Sequence, residues 1–479
     1  MIGISSFGVY LPAYRLSREV IAQATGAGSG SGERTVANYD EDALTMGVEA
    51  SLECADNCAR LWGGSLNGGI VNALLFASAS SPYREKQAAN VIGSVLEIDR
   101  SGLMTDLGAS LRGGLTGIEV ARQFLRESPS ESKALVVTSD KRPAELRSGE
   151  EQAFGDGAAA LLLGQENVIA SIDGHVAVNA NFTHFWRREN DRSVHSGDTR
   201  FVENHGYFPL MTEAIRGLLK KAGLKSDEIA KLIAYAPNAR LAQQLARRLG
   251  FNPETQLADT LYRNVGDTGT AQVFLSLINA LLKAKPGEKL VVAGYGDGAE
   301  AILFKVTENI QKVEACRGIE PFLKRRRPMT TYGKYLQFRD VIGESSYDAF
   351  SSLPLLWREE KQNLKLYATR CKSCGVIHFP RRRVCDKCGA KDTMEDFKLG
   401  RKGRVYTYTN DHVYLNPDPP ETLAVIDLEG GGRFFGQVVD VNPQDMRIGL
   451  EMELSFRKLH DGQDVANYFW KARPVIGGK

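Results

Sequence analysis

At 479 residues the chain exceeds the size of one ordinary core, so two or three domains are expected. Hydrophobic residues at 43% and charged residues at 25% describe an ordinary globular protein, and 60 Lys and Arg against 58 Asp and Glu exert no long-range pull on nucleic acid or an anionic membrane. No run of about 18 apolar residues occurs, which argues against a membrane-spanning helix. The start, MIGISSFGVYLPAYRL, lacks a basic region and a cleavage site and reads as a first strand rather than a signal peptide. The segment GAGSGSGE (26–33) follows no predicted strand and reads as a flexible loop in preference to a phosphate cradle. Four of seven cysteines fall in two CxxC pairs, while Cys54, Cys58 and Cys316 are scattered. That is not a disulfide framework and fits a reducing cytoplasm.

An internal repeat carries the most information. FGDGAAALLL at 154–163 recurs as YGDGAEAILF at 295–304, each after a short apolar strand, ALVVTSD (134–140) and KLVVAGY (289–295). Helix-like segments precede both strands, LTGIEVARQFL (115–125) and AQVFLSLINALLKA (271–284). One βαββ-type unit therefore occurs twice, and its Gly-Asp-Gly corner permits positive φ and close backbone approach. Alternating apolar strands and helices predict an α/β core with buried sheets.

Beyond residue 312 the pattern changes. Lys324, Arg325, Arg326 and Arg327 form a charge run that reads either as a solvated face or as a contact for phosphate on a ligand. SSLPLLWREEKQNLKL (351–366) reads as a short amphipathic helix. From 403 onward the segments RVYTYTNDHVYL, TLAVIDL, GRFFGQVVDV and MELSFRKL alternate as strands do and predict a small all-β barrel.

CKSC (371–374) and CDKC (385–388) stand ten residues apart, each followed directly by glycine, Gly375 and Gly389. Tetrahedral zinc takes four thiolates, and CxxC lets two of them reach one ion from a tight turn. Cys371, Cys374, Cys385 and Cys388 thus predict a structural zinc site, because four protein ligands leave no open position for substrate water. A nucleic-acid module is the lesser reading, given the neutral charge balance.

The matches GVYLPAYRLS (8–17), YDEDALTMGVEA (39–50), SASSPYREK (78–86), FWRR (185–188), Tyr207 and YGKYLQFRDVI (332–342), together with the repeat, resemble the thiolase superfamily. Within it the chain is similar to 3-hydroxy-3-methylglutaryl-CoA synthases and initiating ketoacyl synthases. The remainder resembles the zinc-ribbon and OB-fold proteins that accompany such enzymes. The resemblance implies a duplicated αβαβα core at 1–170 and 171–345, a linker helix and zinc ribbon at 346–400, and an OB-type barrel at 401–479. It also implies an acyl-CoA ligand, and a homodimer or a complex with a thiolase-family protein.

The residues depart from the family where its chemistry lies. DLGASLRGG (106–114), aligned without gaps, puts Leu111 at the position of the family's Cys nucleophile, with Ser110 beside it. Tyr235 in LIAYAPNAR stands where the family carries His, and Asp267 in VGDTGTA where it carries Asn. Leucine forms no thioester, so cysteine-based acyl transfer is expected to be absent. Glu41 matches the glutamate that acts as general acid/base in the synthases, against the alternative of an exposed loop acid. Tyr235 is either a proton-transferring phenol or a core tyrosine. Asp267 either orients Tyr235 or caps the next helix. Three functions follow: a lyase-type enzyme that makes or breaks the Cα–Cβ bond of a β-hydroxyacyl-CoA, a non-catalytic subunit that organises a partner thiolase, or a conventional acyl-CoA synthase.

Overall fold

The computed structural model describes residues 1–28, 30–64, 70–342, 350–414, 416–462 and 465–477. Ser29 of the glycine-rich segment and the expected boundary at 345/346 lie outside the described residues. Two compact units emerge, one of Met1–Ala37 and Asp42–Tyr332, the other of Asn38–Glu41 and Gly333–Lys479.

In the first unit, apolar runs with β-branched residues form strands that are mostly buried on both faces under helices, while Leu103–Gly108 and much of Ala170–Asn179 stay partly exposed. The strands are β1 (Gly3–Tyr10), β2 (Val71–Ser78), β3 (Leu103–Gly108), β4 (Lys133–Lys141), β5 (Asp156–Gly164), β6 (Ala170–Asn179), β7 (Lys231–Ala234), β8 (Lys289–Tyr295) and β9 (Gly298–Val306). Among the described residues they form one sheet in the order β7-β8-β9-β6-β1-β5-β4-β2-β3. Its two halves repeat one motif: β4 pairs antiparallel with β5, and β8 antiparallel with β9. The expected midpoint at 170/171 falls at the start of β6, which pairs with both β1 and β9.

The two copies differ at the corner. In the second, only Gly296 and Asp297 separate the strands, with Asp297 at φ +50° and Gly298 at φ +122°. In the first, residues 142–155 intervene and carry a short helix, Gly149–Ala153. Gly155 is needed there for close approach, because a Cβ would lie 2.0 Å from the Val265 carbonyl oxygen.

Helix α1 (Ala43–Trp62) opens on a capping box between Asp42 and Thr45 and ends at Gly63 with φ +73°. Helix α2 (Gly113–Arg126) begins just after Leu111 and lies close on the sheet, since a Cβ at Gly114 would fall 2.6 Å from Thr138. Helix α3 (Phe208–Ala222) covers β6 and β9, α4 (Ala239–Arg248) follows β7, and α5 (Gln272–Leu281) is buried on nearly every face. No helix among the described residues is long and apolar enough to cross a membrane.

The helix Tyr332–Phe338 leads into the second unit and is followed by two helical turns, α6 (Leu353–Arg358) and α7 (Glu360–Asn363), where the sequence pattern predicts one amphipathic helix. A three-stranded ribbon follows, β10 (Tyr367–Cys371), β11 (Ile377–His378) and β12 (Met394–Lys398). The chain then forms a closed barrel of β13 (Lys402–Asp411), β14 (Glu421–Leu428), β15 (Arg433–Val438), β16 (Glu451–Gly462) and β17 (Val465–Pro474), ordered β13-β14-β15-β17-β16. The alternation of residues identifies four of these strands and misses β17. A buried ion cluster fixes the barrel to Asn38–Glu41. Arg457 on β16 is fully buried and contacts Asp40 at 3.1 Å, Glu41 at 2.8 Å and Asp440 at 2.6 Å, while Lys471 on β17 reaches Asp40 at 2.9 Å.

Candidate active site and metal centre

The site of the first unit is built from strand ends and the loops that follow them. Leu111 lies on the turn between β3 and α2, and the β8–β9 hairpin presses against that turn. A Cβ at Gly296 would sit 2.8 Å from Ser110 Oγ and 3.0 Å from the Leu111 amide nitrogen. The Ser110 hydroxyl donates to the Gly296 carbonyl at 3.1 Å, so its proton joins loop to hairpin. A cleft of about 360 Å³ opens here, with Leu111, Arg142, His184, Phe185 and Tyr295 on its walls. A second of about 230 Å³ shares His184 and Phe185 and reaches Asp267.

Tyr235 and Asp267, for which the sequence leaves orienting or capping open, meet in the structure. The Tyr235 hydroxyl donates to Asp267 Oδ2 at 3.0 Å, and Arg142 Nη1 lies 2.6 Å from the same oxygen. Asp267 also accepts from the Gly269 amide at 2.9 Å, so it both orients the phenol and caps the following turn. All three side chains are buried, and Tyr235 is 1% exposed. Burial first, then the Asp267 carboxylate, raises the Tyr235 phenol well above the ordinary tyrosine range and keeps it protonated. The Arg142 guanidinium lies 3.5 Å over the Phe154 ring and 4.7 Å from that of Phe185.

Asp140, at the end of β4, ties this framework together. Its Oδ1 accepts from Ser78 Oγ, the Ala79 amide and Ser80 Oγ, and its Oδ2 from the Thr270 amide and hydroxyl at 2.8 and 2.9 Å.

Arg142, Asp140, His184 and Tyr295 do not stand out in the sequence. Their signal is faint: Asp140 and Tyr295 end the two repeated strands, and His184 directly precedes the FWRR match.

Glu41, expected as an acid/base or an exposed loop acid, is neither exposed nor free. It is 1% exposed, accepts from the Asn38 amide at 2.7 Å and pairs with Arg457 in the second unit. Of the basic run, Lys324 lies 3.6 Å from Glu320 and Arg325 donates to the Leu11 carbonyl at 3.1 Å. Arg326 pairs with Glu33 at 2.6 Å, and Arg327 lies 4.8 Å over the Tyr14 ring. Lys324 and Arg326 keep side chains that are 75% and 55% exposed beyond these contacts.

Burial, then the nearby Arg142 charge, pushes the His184 imidazole down to about 3 from its ordinary value near 6.5. Between those values the unfolded chain binds a proton that the folded chain refuses, so stability rises with pH across the window and is lost as pH falls through it. The urea midpoint is therefore expected to drop from pH 7 to pH 4, and His184→Gln is expected to lessen that drop.

In the second unit the four cysteine sulfurs lie within 4.8 Å of one another. Cys371 and Cys388 sulfurs are 3.7 Å apart, and those of Cys374 and Cys385 3.5 Å. Zinc–sulfur bonds of about 2.3 Å in a tetrahedron put sulfurs about 3.8 Å apart, so the donor set fits zinc. Gly375 at φ +75° and Gly389 at φ +71° make the knuckle turns, their amides donating to the Cys371 and Cys385 carbonyls at 2.8 and 2.9 Å. His378 Nε2 stands 3.3 Å from Cys385 Sγ and orients that ligand.

A duplicated, thiolase-like α/β core thus precedes a zinc ribbon and a closed OB-type barrel. Residues 219–305 match the 3-oxoacyl-[acyl-carrier-protein] synthase III C-terminal family, 358–395 the ChsH2 rubredoxin-like zinc ribbon, and 398–457 the ChsH2 C-terminal OB-fold. The chain is 29% identical over 352 residues to a hydroxymethylglutaryl-CoA synthase of Archaeoglobus fulgidus, covering 71% of this chain and 99% of the relative. It is 42% identical over 124 residues to a DUF35 domain-containing scaffold protein of Methanocaldococcus jannaschii, covering 25% of this chain and 88% of the relative. Among solved structures, a synthase described as an HMG-CoA synthase complexed with CoA superposes with a TM-score of 0.64 at 18% identity, over 74% of this chain and 94% of that one. The 3-oxoacyl-[acyl-carrier-protein] synthase III of Aquifex aeolicus superposes with a TM-score of 0.56 at 20% identity, over 64% of this chain and all of that one. The chain joins a thiolase-fold domain similar to the HMG-CoA synthases to a C-terminal zinc ribbon and OB-fold, and that C-terminal part belongs to the DUF35 domain proteins.

Proposed function

We propose that the first unit processes acyl-CoA without a cysteine nucleophile, making or breaking the Cα–Cβ bond of a β-hydroxyacyl-CoA in a reducing cytoplasm. The observation that carries this is Leu111, a hydrocarbon side chain on the cleft wall where related enzymes are expected to hold their thiol. Aldol chemistry needs no covalent acyl-enzyme. It needs a proton taken from or returned to the β-oxygen, and Tyr235, Asp267 and Arg142 form a buried proton-holding group beside the cleft. The likeness to the synthases over the whole first unit supports acyl-CoA as the ligand class. Tyr235→Phe is expected to lower retro-aldol turnover by about 10²–10⁴-fold, assayed on a panel of β-hydroxyacyl-CoA thioesters. Intact mass after incubation with acyl-CoA is expected to show no adduct. An adduct would instead establish the conventional acyl-transferring synthase.

The likeness of the C-terminal part to a protein described as a scaffold favours a second reading, a non-catalytic subunit that organises a partner thiolase. The two separate in one experiment. The purified chain turns over thioester alone under the first reading, and only with a cysteine-bearing thiolase under the second.

A further inference from the structure

We infer that Tyr295 and His184 are a pair of neutral hydrogen-bond donors that hold the oxygen of a bound thioester as it becomes negative. The inference rests on the acyl-CoA reading and names further catalytic residues in the same cleft.

Tyr295 closes β8 immediately before the Gly296–Asp297 corner, so the hairpin that presses on the Leu111 turn also aims this phenol. The side chain is 2% exposed, yet its hydroxyl has no hydrogen-bond partner among the described residues. His184 Nδ1 is likewise buried without a partner among them. The rings are 5.6 Å apart, tilted by 50°, and both line the cleft that Leu111 and Arg142 line. Folding leaves such polar atoms unsatisfied only at a cost, which an oxygen-bearing ligand in the cleft removes.

Both rings are held before any ligand arrives. Tyr207 meets Tyr295 edge-on at 5.4 Å, and the Tyr207 hydroxyl is itself fixed on the Tyr235 carbonyl at 2.8 Å. His184 stacks on Phe185 at 3.8 Å. Burial and the Arg142 charge keep the imidazole neutral, and in the Nδ1–H tautomer that this role requires its unpartnered nitrogen is the donor. Burial, with Asp297 adding to it, raises the Tyr295 phenol, so it too remains a donor.

In the cleavage direction the β-hydroxyl gives its proton to the Tyr235 phenol, which passes its own to the Asp267 carboxylate, and the Cα–Cβ bond breaks. Its electron pair moves toward the thioester carbonyl, and the former hydroxyl carbon leaves as a carbonyl compound. The resulting enolate carries its charge on the thioester oxygen until Cα takes up one proton, so no oxidant or further reactant is required. Donors already aimed at that oxygen stabilise the charge without reorganising.

Calorimetric titration of the full chain tests the pair with two probes: acetyl-CoA, and a CoA analogue bearing a carboxylate in place of the thioester as a stable oxyanion mimic. The wild-type chain is expected to bind the carboxylate analogue at least about tenfold more tightly than acetyl-CoA. Tyr295→Phe is expected to abolish that preference and leave acetyl-CoA affinity within about twofold. His184→Leu should act alike, and His184→Gln, which keeps an N–H donor, should restore part of the preference. A preference equal in wild type, Tyr295→Phe and His184→Leu overturns the inference and leaves the acyl-CoA reading standing, as does a wild type with no preference. Failure of the wild type to bind either probe overturns the acyl-CoA reading and this inference with it. Melting curves identify a variant that has not folded, and the substitution at the other position then decides between these outcomes.

Discussion

Removing zinc with a chelator, or replacing one ligand through Cys385→Ser, is expected to unfold the ribbon between Tyr367 and Lys398. Apart from zinc, a five-residue ladder between β10 and β12 and the stacking of Phe379 on Phe434 and Phe469 hold this segment. Its strands are short, β11 having only two residues, and Cys374 and Cys388 are not deeply buried. In small zinc modules the metal contributes about 10–16 kcal/mol of apparent binding free energy, which is folding free energy when no site exists in the unfolded chain. Native mass spectrometry is expected to show one zinc per chain, lost in Cys385→Ser. Limited proteolysis should then cut between Cys371 and Cys388 while the first unit stays intact. A ribbon equally resistant with and without metal would remove zinc from the account. His378→Ala, which takes away only the partner of Cys385 Sγ, is expected to weaken zinc retention by about 10–100-fold rather than abolish it.

The second large effect is expected at the Arg142–Asp267 pair. The two side chains are 2% and 1% exposed and meet at 2.6 Å, so removing either leaves a charge without a partner in the interior. Breaking such a pair costs about 3–5 kcal/mol, whereas replacing both members by apolar groups of similar volume is far milder. Arg142→Met and Asp267→Leu are thus each expected to be severely destabilising. The double variant is expected to regain much of the loss, as read from urea unfolding of the full chain in a double-mutant cycle. Activity should not recover with stability. Asp267 is the acceptor that holds the Tyr235 hydroxyl, and the leucine variant loses it. A double variant that folds and retains turnover would show that the pair serves the fold alone.

What can be read from the sequence follows the reach of each interaction. The zinc ligands are legible because knuckle turns are local and their spacing is written in consecutive residues. The duplicated core is legible because the same strand and helix pattern occurs twice. Even the pairing of Tyr235 with Asp267 is accessible, since each stands at a recognisable strand-end or loop position.

Arg142 escapes notice because its partner lies 125 residues away, and a lone arginine after a strand carries no sign of what it will meet. His184 and Tyr295 are hidden for a different reason. Their interest lies in a hydroxyl and a ring nitrogen that meet no partner among the described residues, which becomes visible only in the folded chain. In the basic run charge alone does not separate a solvated face from a phosphate contact, and the partners Glu33 and the Leu11 carbonyl lie 293 and 314 residues away. Strand β17 is missed because burial along VANYFWKARP does not alternate cleanly.

The ion cluster around Arg457 bears on how the molecule can be assembled. Arg457 and Asp40 are separated by 417 residues, so two stretches made far apart in time must find one another. Closing so long a loop is entropically slow, and until it closes the barrel lacks the carboxylates of Asp40 and Glu41. A fragment cut at Gly333 carries Arg457 and Lys471 without them. The fused barrel is therefore no detachable cassette: excised by a single cut, it is expected to refold poorly, and a peptide spanning Asn38–Glu41 supplied in trans should improve its yield.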